Sequence, residues 1–413
     1  MSRAPSIAST APSRASTPSP NGPRPTACTK ATVTKARVLI VGAGIGGIML
    51  GALLERAGIE YHIFERAVKV KPLGSALSIG ANVLPLFAQL SVLDDVMKAA
   101  KSFSFSTGYN DLREVTRTLD YSPAEEIGGF LPHIISRPIL VDILMKLVPT
   151  SKISYSKKIL SCRQNETEAP HVVIQCSDNS TYEGEILVGA DGAYSGVRQN
   201  LYKQLKTDGV IPKSDLAELP FNSVCLVGQT EQLDPEVYTH LKDDHTWFET
   251  TVGEGNPYAW ITFTTKFNTI CWMVLRHLDE KSSRENESSF RNSEWGPEAA
   301  EAMCEEVKDF PVPRNNMVLG DLIAKTPKEY ISKVMLEEKL FDTWYGGRMV
   351  LIGDGAVSAM QDAVCLANCL YELSENPTTE EISKVFANYQ DERYPLAKTA
   401  YDTSHRLGSI VGS

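Results

Sequence analysis

The sequence predicts an α/β fold: a three-layer domain around a parallel sheet, an inserted and mainly antiparallel β-sheet domain, and closing C-terminal helices. Three observations predict it. An apolar strand breaks into closely spaced glycines at Gly42 and resumes as an apolar helix. Two later strands, Glu185-Ile-Leu-Val188 and Arg348-Met-Val-Leu-Ile352, each run into a glycine–aspartate pair. Between them, from 221 to 276, strand-like segments alternate with turn signals.

Val38-Leu-Ile-Val41 is rich in branched residues, as a buried parallel strand requires. Gly42, Gly44 and Gly47 follow with the spacing G-x-G-x-x-G and open a helix that reaches about Ala57 and stops at Gly58. Gly42 permits the tight turn, Gly44 lets a pyrophosphate approach the backbone, and Gly47 lets the helix pack closely on the strand. The helix N-terminus offers free N–H groups and partial positive charge to phosphate. The next strand, Tyr61-His-Ile-Phe64, delivers Glu65, whose carboxylate suits both ribose hydroxyls of an adenosine and repels a 2′-phosphate. Strand, glycines, helix, strand and acid in register specify a Rossmann-like site for FAD or NAD far better than the glycines alone.

Further along, Gly74–Gly80 reads as a glycine-bounded loop, and Asn82 is placed to cap a helix ending near Leu90. A second short helix covers Leu93–Ala100. Pro132–Arg137 leads into a helix with Pro138 in its first turn, running to Val148. Strands are expected at 152–155, 171–176 and 185–188. In the inserted stretch, Tyr258–Thr264 and Thr269–Leu275 alternate as antiparallel strands. Polar residues 279–296 read as loop, and helices are expected near 297–308 and 320–325. Ser358-x-x-Gln361 and Thr378-x-x-Glu381 fit capping boxes for two closing helices, the second of which Pro395 should kink or interrupt. The expected organisation is a disordered tail at 1–35 and a discontinuous nucleotide domain at 36–200 and 341–375. A substrate domain at 201–340 and a C-terminal helical segment at 376–413 complete it.

With 413 residues, 42% hydrophobic and 22% charged, the chain has the make-up of a globular protein of about two domains. Its net charge of −10, and the lack of any basic cluster interleaved with aromatics, speak against a nucleic-acid partner. Eight cysteines without a C-x-x-C pair imply a reduced, intracellular and cytoplasmic setting, and no metal site. Cys365 and Cys369 share a helix face that reads as apolar packing. Val38–Leu54 is uncharged, but its glycines and short length make it a nucleotide fold rather than a membrane span. The tail carries six prolines and five basic residues but no acid, which reads as a basic disordered segment rather than a transit peptide.

Three glycine–acid sites in order, at Gly42–Gly47 with Glu65, at Gly189-Ala-Asp191-Gly192 and at Gly353-Asp354, exceed what a simple dehydrogenase needs. With Arg137 at its helix start and the closing Tyr389-Gln-Asp-Glu-Arg393-Tyr-Pro395, the chain resembles the FAD-dependent aromatic-hydroxylase-like, or class A flavoprotein, monooxygenases, fungal members most of all, over most of 37–405. The resemblance implies an enzyme that uses NAD(P)H as transient reductant and O2 to insert one oxygen atom into a small organic substrate through a flavin C4a-hydroperoxide. It implies that Gly42, Gly44 and Gly47 hold the FAD pyrophosphate and that Glu65, with Arg66 beside it, meets the adenosine ribose. Arg137 would meet phosphate or the ribityl chain, Asp191 and Gly192 would help hold FAD, and Asp354 would accept from a ribityl hydroxyl. Read on their own, Asp191 and Asp354 could each simply cap a turn, and Arg137 could pair with Glu125 or Glu126. Trp247, Phe248, Tyr258, Trp260, Phe263 and Trp272 read mostly as sheet core, in a sheet that roofs the substrate in relatives.

One departure stands out. In the family about a dozen residues, including a proline and a G-x-G, separate the second glycine–aspartate pair from the next helix. Here Gly353-Asp354 runs straight into Gly355-Ala-Val-Ser. That loop lies along the flavin ring in relatives, so its shortening should draw the helix start away from the ring or strain the connection. The alternative reading is a catalytically impaired FAD- or nucleotide-binding protein of the same fold.

Overall fold

Branched apolar residues at Val38–Val41 seed a strand buried on both faces, and the parallel sheet grows from it. The structure is a computed structural model that describes residues 35–69, 76–165, 170–217, 219, 221–278, 297–337 and 339–411. Apart from Lys35, the tail expected to be disordered lies outside the described residues, as do Gly74 and the 279–296 loop. In chain order the strands are β1 (Lys35–Val41), β2 (Tyr61–Phe64), β3 (Ala76–Ile79), β4 (Lys101–Ser102), β5 (Phe105–Tyr109), β6 (Val115–Asp120), β7 (His133–Ser136), β8 (Ile153–Ser154) and β9 (Ile159–Asn165). They continue with β10 (His171–Cys176), β11 (Thr181–Gly189), β12 (Phe221–Gln229), β13 (Phe248–Val252), β14 (Tyr258–Thr264), β15 (Ile270–His277), β16 (Ser332–Glu337), β17 (Tyr345–Gly346) and β18 (Met349–Leu351).

The first sheet runs β17-β18-β11-β1-β2-β8, with β9 and β10 attached beside β11. Its central strands are parallel, and Phe64, Val41, Gly189 and Leu351 are successive partners across it. Four carboxyl ends therefore finish at one level. Alternation sends Val38, Ile40, Ile186 and Val188 toward a core shared with helices Ile45–Ala57, Arg137–Met145 and Ala356–Tyr371. Leu39, Val41 and Leu187 point the other way, onto Val197 and Leu201 of helix Gly196–Thr207 and onto β10. The result is the expected three layers.

The second sheet has seven strands in the order β16-β12-β15-β14-β13-β5-β6 and is antiparallel except for the β13–β5 pair. One face, with Val224, Leu226, Trp260, Trp272 and Val274, packs on helices Pro297–Val307 and Leu319–Ala324. Trp260 donates to the Pro311 carbonyl at 2.7 Å and Trp272 to Thr326 Oγ1 at 3.0 Å, so both indoles are core members with satisfied N–H groups. The opposite face carries Phe248, Ile261, Phe263 and Cys271 against Phe103 and Ile134. A small sheet, β3-β7-β4, supplies Ile134 and leads directly to Arg137.

Several local expectations are corrected. The segment read as loop before Gly80 contains β3, held by pairing with β7. Asn82 caps nothing: the helix starts at Leu84 after Val83, with proline in its first turn. Ser358 lies inside a helix that starts at Ala356, so its capping box is absent. The second capping box is present, with the Thr378 N–H donating to Glu381 Oε2 at 2.8 Å and the Glu381 N–H to Thr378 Oγ1 at 3.1 Å. Helix Thr379–Val411 continues through Pro395 without a break. Strands β4, β5, β6, β9, β16 and β17 have no counterpart in the sequence reading. Cys365 is buried and Cys369 half-buried. Among the described residues no cluster could hold a metal ion, and no helix is long and apolar enough to cross a membrane.

The helix-covered side of the second sheet also buries charge. Glu249 is 4% exposed and paired to Arg314 Nε at 2.8 Å, and the Arg314 guanidinium lies over Trp247 at 3.4 Å. Burial, and then the nearby Arg314 charge, hold His240 down to about 4 against an ordinary 6.5. A histidine kept neutral in the fold favours the folded state above pH 6.5, and that contribution is lost as pH falls toward about 4. His240→Gln should therefore flatten the decline in melting temperature across that window, and an unchanged slope would remove His240 from the account.

Candidate functional site

The level carboxyl ends of β2, β1, β11 and β18 are where an open parallel sheet binds ligands. Hydrogen bonds stitch the ends together: Gly42 N–H to the Phe64 carbonyl at 2.8 Å, Ala190 N–H to Val41 at 2.8 Å, and Ile352 N–H to Gly189 at 3.0 Å. All three glycine–acid motifs are thus neighbours, although more than 300 residues of sequence separate the first from the last.

The glycines differ in what they make possible. Gly42 has φ +105°, and a Cβ there would lie 2.4 Å from the Ala190 carbonyl oxygen. A Cβ on Gly47 would lie 2.0 Å from the Gly42 carbonyl oxygen. These two glycines let the turn, the first helix and the Ala190-Asp191 segment interlock. Gly44, the N-cap of helix Ile45–Ala57, is exposed and a Cβ there would meet nothing within 4 Å. Its open side, beside the first N–H groups of the helix, is the space a pyrophosphate requires. The cradle fits the group.

Glu65 closes the cradle. Its Oε2 accepts from Ala43 N–H at 2.9 Å and its Oε1 from Ala67 N–H at 2.8 Å. Each carboxylate oxygen keeps a second acceptor site. Arg66 follows on an exposed bend, with no hydrogen bond or ion pair among the described residues. Arg137 opens helix Arg137–Met145, is exposed, and likewise has no such partner, so neither Glu125 nor Glu126 pairs with it.

Asp191 does what a turn-capping aspartate does. Its Oδ1 accepts from the Ser195 hydroxyl, and its Oδ2 from Gly196 N–H at 2.7 Å and Val197 N–H at 3.3 Å. That fixes the start of helix Gly196–Thr207 and holds Ala190 against Gly42. Gly192, at φ +82°, turns the chain between them. Asp354 is exposed and has no hydrogen bond or ion pair among the described residues. Gly192 and Asp354 border one cleft of about 390 Å³, together with Ser195, Trp344 and Ser358. Gly42, Gly44, Gly47, Glu65 and Arg137 do not line that cleft. The structure thus brings the motifs to one sheet edge, with Gly192 and Asp354 in a cleft of their own.

The short connection is real: Gly355 is the N-cap of helix Ala356–Tyr371, directly after Asp354. It carries no backbone strain, since Gly355 sits at φ −67° and ψ 126° and neither Gly353 nor Asp354 has a positive φ. The helix instead lies against the cradle, for a Cβ on Gly46 would come within 2.9 Å of Ala359 Cβ and Ile352 Cδ1. Sequence reasoning did not single out Asp362, which is 2% exposed and accepts from Gly353 N–H at 2.8 Å and from Arg393 Nε at 2.7 Å. Burial raises its carboxyl above the usual range, offset by the hydrogen bond and charge of Arg393 and by the Gly353 N–H.

The FAD binding domain family model matches residues 35–404. The FAD-dependent monooxygenase ptmM of Penicillium ochrochloron is 29% identical over 406 residues, covering 90% of this chain and 88% of that protein. The FAD-dependent monooxygenase ausM of Penicillium brasilianum is 27% identical over 402 residues, covering 91% and 79%. Among solved structures, Klebsiella pneumoniae HpxO complexed with FAD and uric acid has the same fold, with a TM-score of 0.70 and 18% identity over 92% of this chain and 89% of that one. With the FAD binding domain model matching nearly the whole folded chain, this chain belongs to the FAD-binding family of FAD-dependent monooxygenases.

Proposed function

We propose that this monooxygenase takes its electrons from NAD(P)H and uses O2 to place one oxygen atom on a small, largely apolar organic substrate. The observation that carries the reading is the alignment of the three motifs at the carboxyl ends of β1, β11 and β18. When bound, FAD supplies the redox chemistry, accepting reducing equivalents and activating oxygen. The chain's own residues bind and orient it. Gly42, Gly44 and Gly47 hold the pyrophosphate at the helix N-terminus, and Glu65 takes the ribose hydroxyls with its spare acceptor sites, Arg66 beside it. Arg137 offers an uncommitted guanidinium to phosphate or ribityl oxygens. Asp191 and Gly192 shape the turn beside the cradle, and Asp354 accepts from a ribityl hydroxyl. Phe248, Ile261 and Phe263, on the sheet face turned toward β7, supply an apolar roof that excludes water.

The direct passage from Asp354 into helix Ala356–Tyr371 favours a second reading, in which FAD is held by its adenylate half and its ring is poorly placed. One experiment separates the two. The purified protein, incubated with FAD and desalted, should show flavin bands near ~370 and ~450 nm. Addition of NADPH or NADH under anaerobic conditions should then bleach the ~450 nm band. Retained but unbleached flavin would establish the second reading, and a colourless protein would overturn the assignment of the cradle.

A further inference from the structure

The closing helix carries a motif, Tyr389 to Pro395, that no cofactor contact uses. Its buried side chains reach the strand end that presents Asp354. Tyr389, 0% exposed, donates its hydroxyl to the Leu351 carbonyl at 3.1 Å. Arg393, 5% exposed, donates through Nε to Asp362 Oδ1 at 2.7 Å and through Nη2 to Gln361 Oε1 at 3.2 Å. Asp362 Oδ2 in turn accepts the Gly353 N–H. Among the described residues no pairing of the strand edge reaches Gly353: β18 ends at Leu351, whose N–H donates to the Trp344 carbonyl, and its antiparallel partner β17 begins at Tyr345, opposite Val350.

A buried ion pair is a poor device for stability alone. Desolvating both charges offsets most of their attraction, and an apolar pair of similar volume would stabilise the fold as well. What an apolar pair would not supply is an acceptor for Gly353 N–H, or a fixed distance between two helices and one strand end. We infer that Asp362 and Arg393 are positioning residues that aim the Gly353–Asp354 turn at the flavin, acting through Asp354 rather than touching the cofactor. The inference rests on the proposed role of Asp354 and is tested separately from it.

The test uses the full chain stripped of flavin, with affinities for FAD and for ADP measured side by side. ADP carries the adenosine and pyrophosphate but nothing that reaches Asp354, so it reports the cradle alone. Asp362→Asn and Asp354→Ala should each weaken FAD by about tenfold, the usual worth of a hydrogen bond to a charged group, and leave ADP unchanged. The double variant should bind FAD no more weakly than Asp354→Ala, since the two changes remove one interaction. Equal losses of FAD and ADP affinity in Asp362→Asn would show general loosening and overturn the inference, and so would additive losses in the double variant. No loss of FAD affinity in Asp354→Ala would overturn the role of Asp354 itself. Should Asp362→Asn not fold, Arg393→Lys carries the same comparison: it keeps the charge but not the bond to Gln361. A selective loss of FAD affinity in it supports the inference, and unchanged FAD affinity overturns it.

Discussion

Gly47→Ala is expected to abolish flavin retention while leaving the antiparallel sheet folded. The added Cβ would lie 2.0 Å from the Gly42 carbonyl oxygen and 3.3 Å from Ala190 Cβ. The first of these neighbours is backbone in a turn that is itself fixed, since Gly42 already sits at φ +105° against the Ala190 carbonyl. No rotamer change relieves the clash. The helix must retreat from the strand, or the turn must open, and either moves the N–H groups at Gly44 to which the pyrophosphate is assigned by the proposed function. The stability cost should be of the order of an overpacked core site, roughly 1–3 kcal/mol, small beside the loss of binding. Gly44→Ala is the matched control. Its Cβ meets no protein atom within 4 Å and its φ of −75° suits alanine, so the melting temperature of the flavin-free protein should not change. FAD affinity should still fall, because the methyl group enters the space reserved for the ligand. If Gly47→Ala retains flavin through desalting, the cradle is not where the pyrophosphate binds.

That prediction draws on the part of the molecule most legible in the sequence. Strand, turn and helix between Val38 and Ala57 are fixed by local rules: branched residues, glycines where no Cβ fits, and a helix that stops at a left-handed Gly58. Other parts obey rules that one segment cannot display. All six residues of β6 are exposed at a sheet edge, so no buried face imposes the alternation by which a strand is recognised. Pairing with β5, and of β5 with β13, makes the strand. Asn82 and Ser358 are plausible caps by local chemistry, but both helices start elsewhere, at Leu84 and Ala356. Pro395 should break an isolated helix, yet Tyr389 and Arg393, six and two residues before it, are buried and anchored. Tertiary packing there outweighs a lost backbone hydrogen bond. Asp362 and Arg393 are 31 residues apart, and only the fold shows that they meet.

Removing the carboxylate of Glu65 should have the second large effect, and a different signature. In Glu65→Ala the N–H groups of Ala43 and Ala67 lose their acceptors at 2.9 and 2.8 Å, and any ribose contact disappears with them. Ala43 stands between Gly42 and Gly44, so the pyrophosphate turn loses a strut in the same step. With hydrogen bonds to a charged group worth ~1.5–3 kcal/mol each, FAD affinity should fall by about a hundredfold or more. ADP affinity should fall in parallel, because the damage is to the adenylate half of the site. Glu65→Gln should recover part of both, since an amide offers one acceptor oxygen in place of two. The contrast with Asp354→Ala, where only FAD is expected to suffer, divides the cofactor site into two halves served by different strand ends. Equal FAD affinities for Glu65→Ala and the unaltered chain would mean that Glu65 only braces the loop and that the ribose is recognised elsewhere.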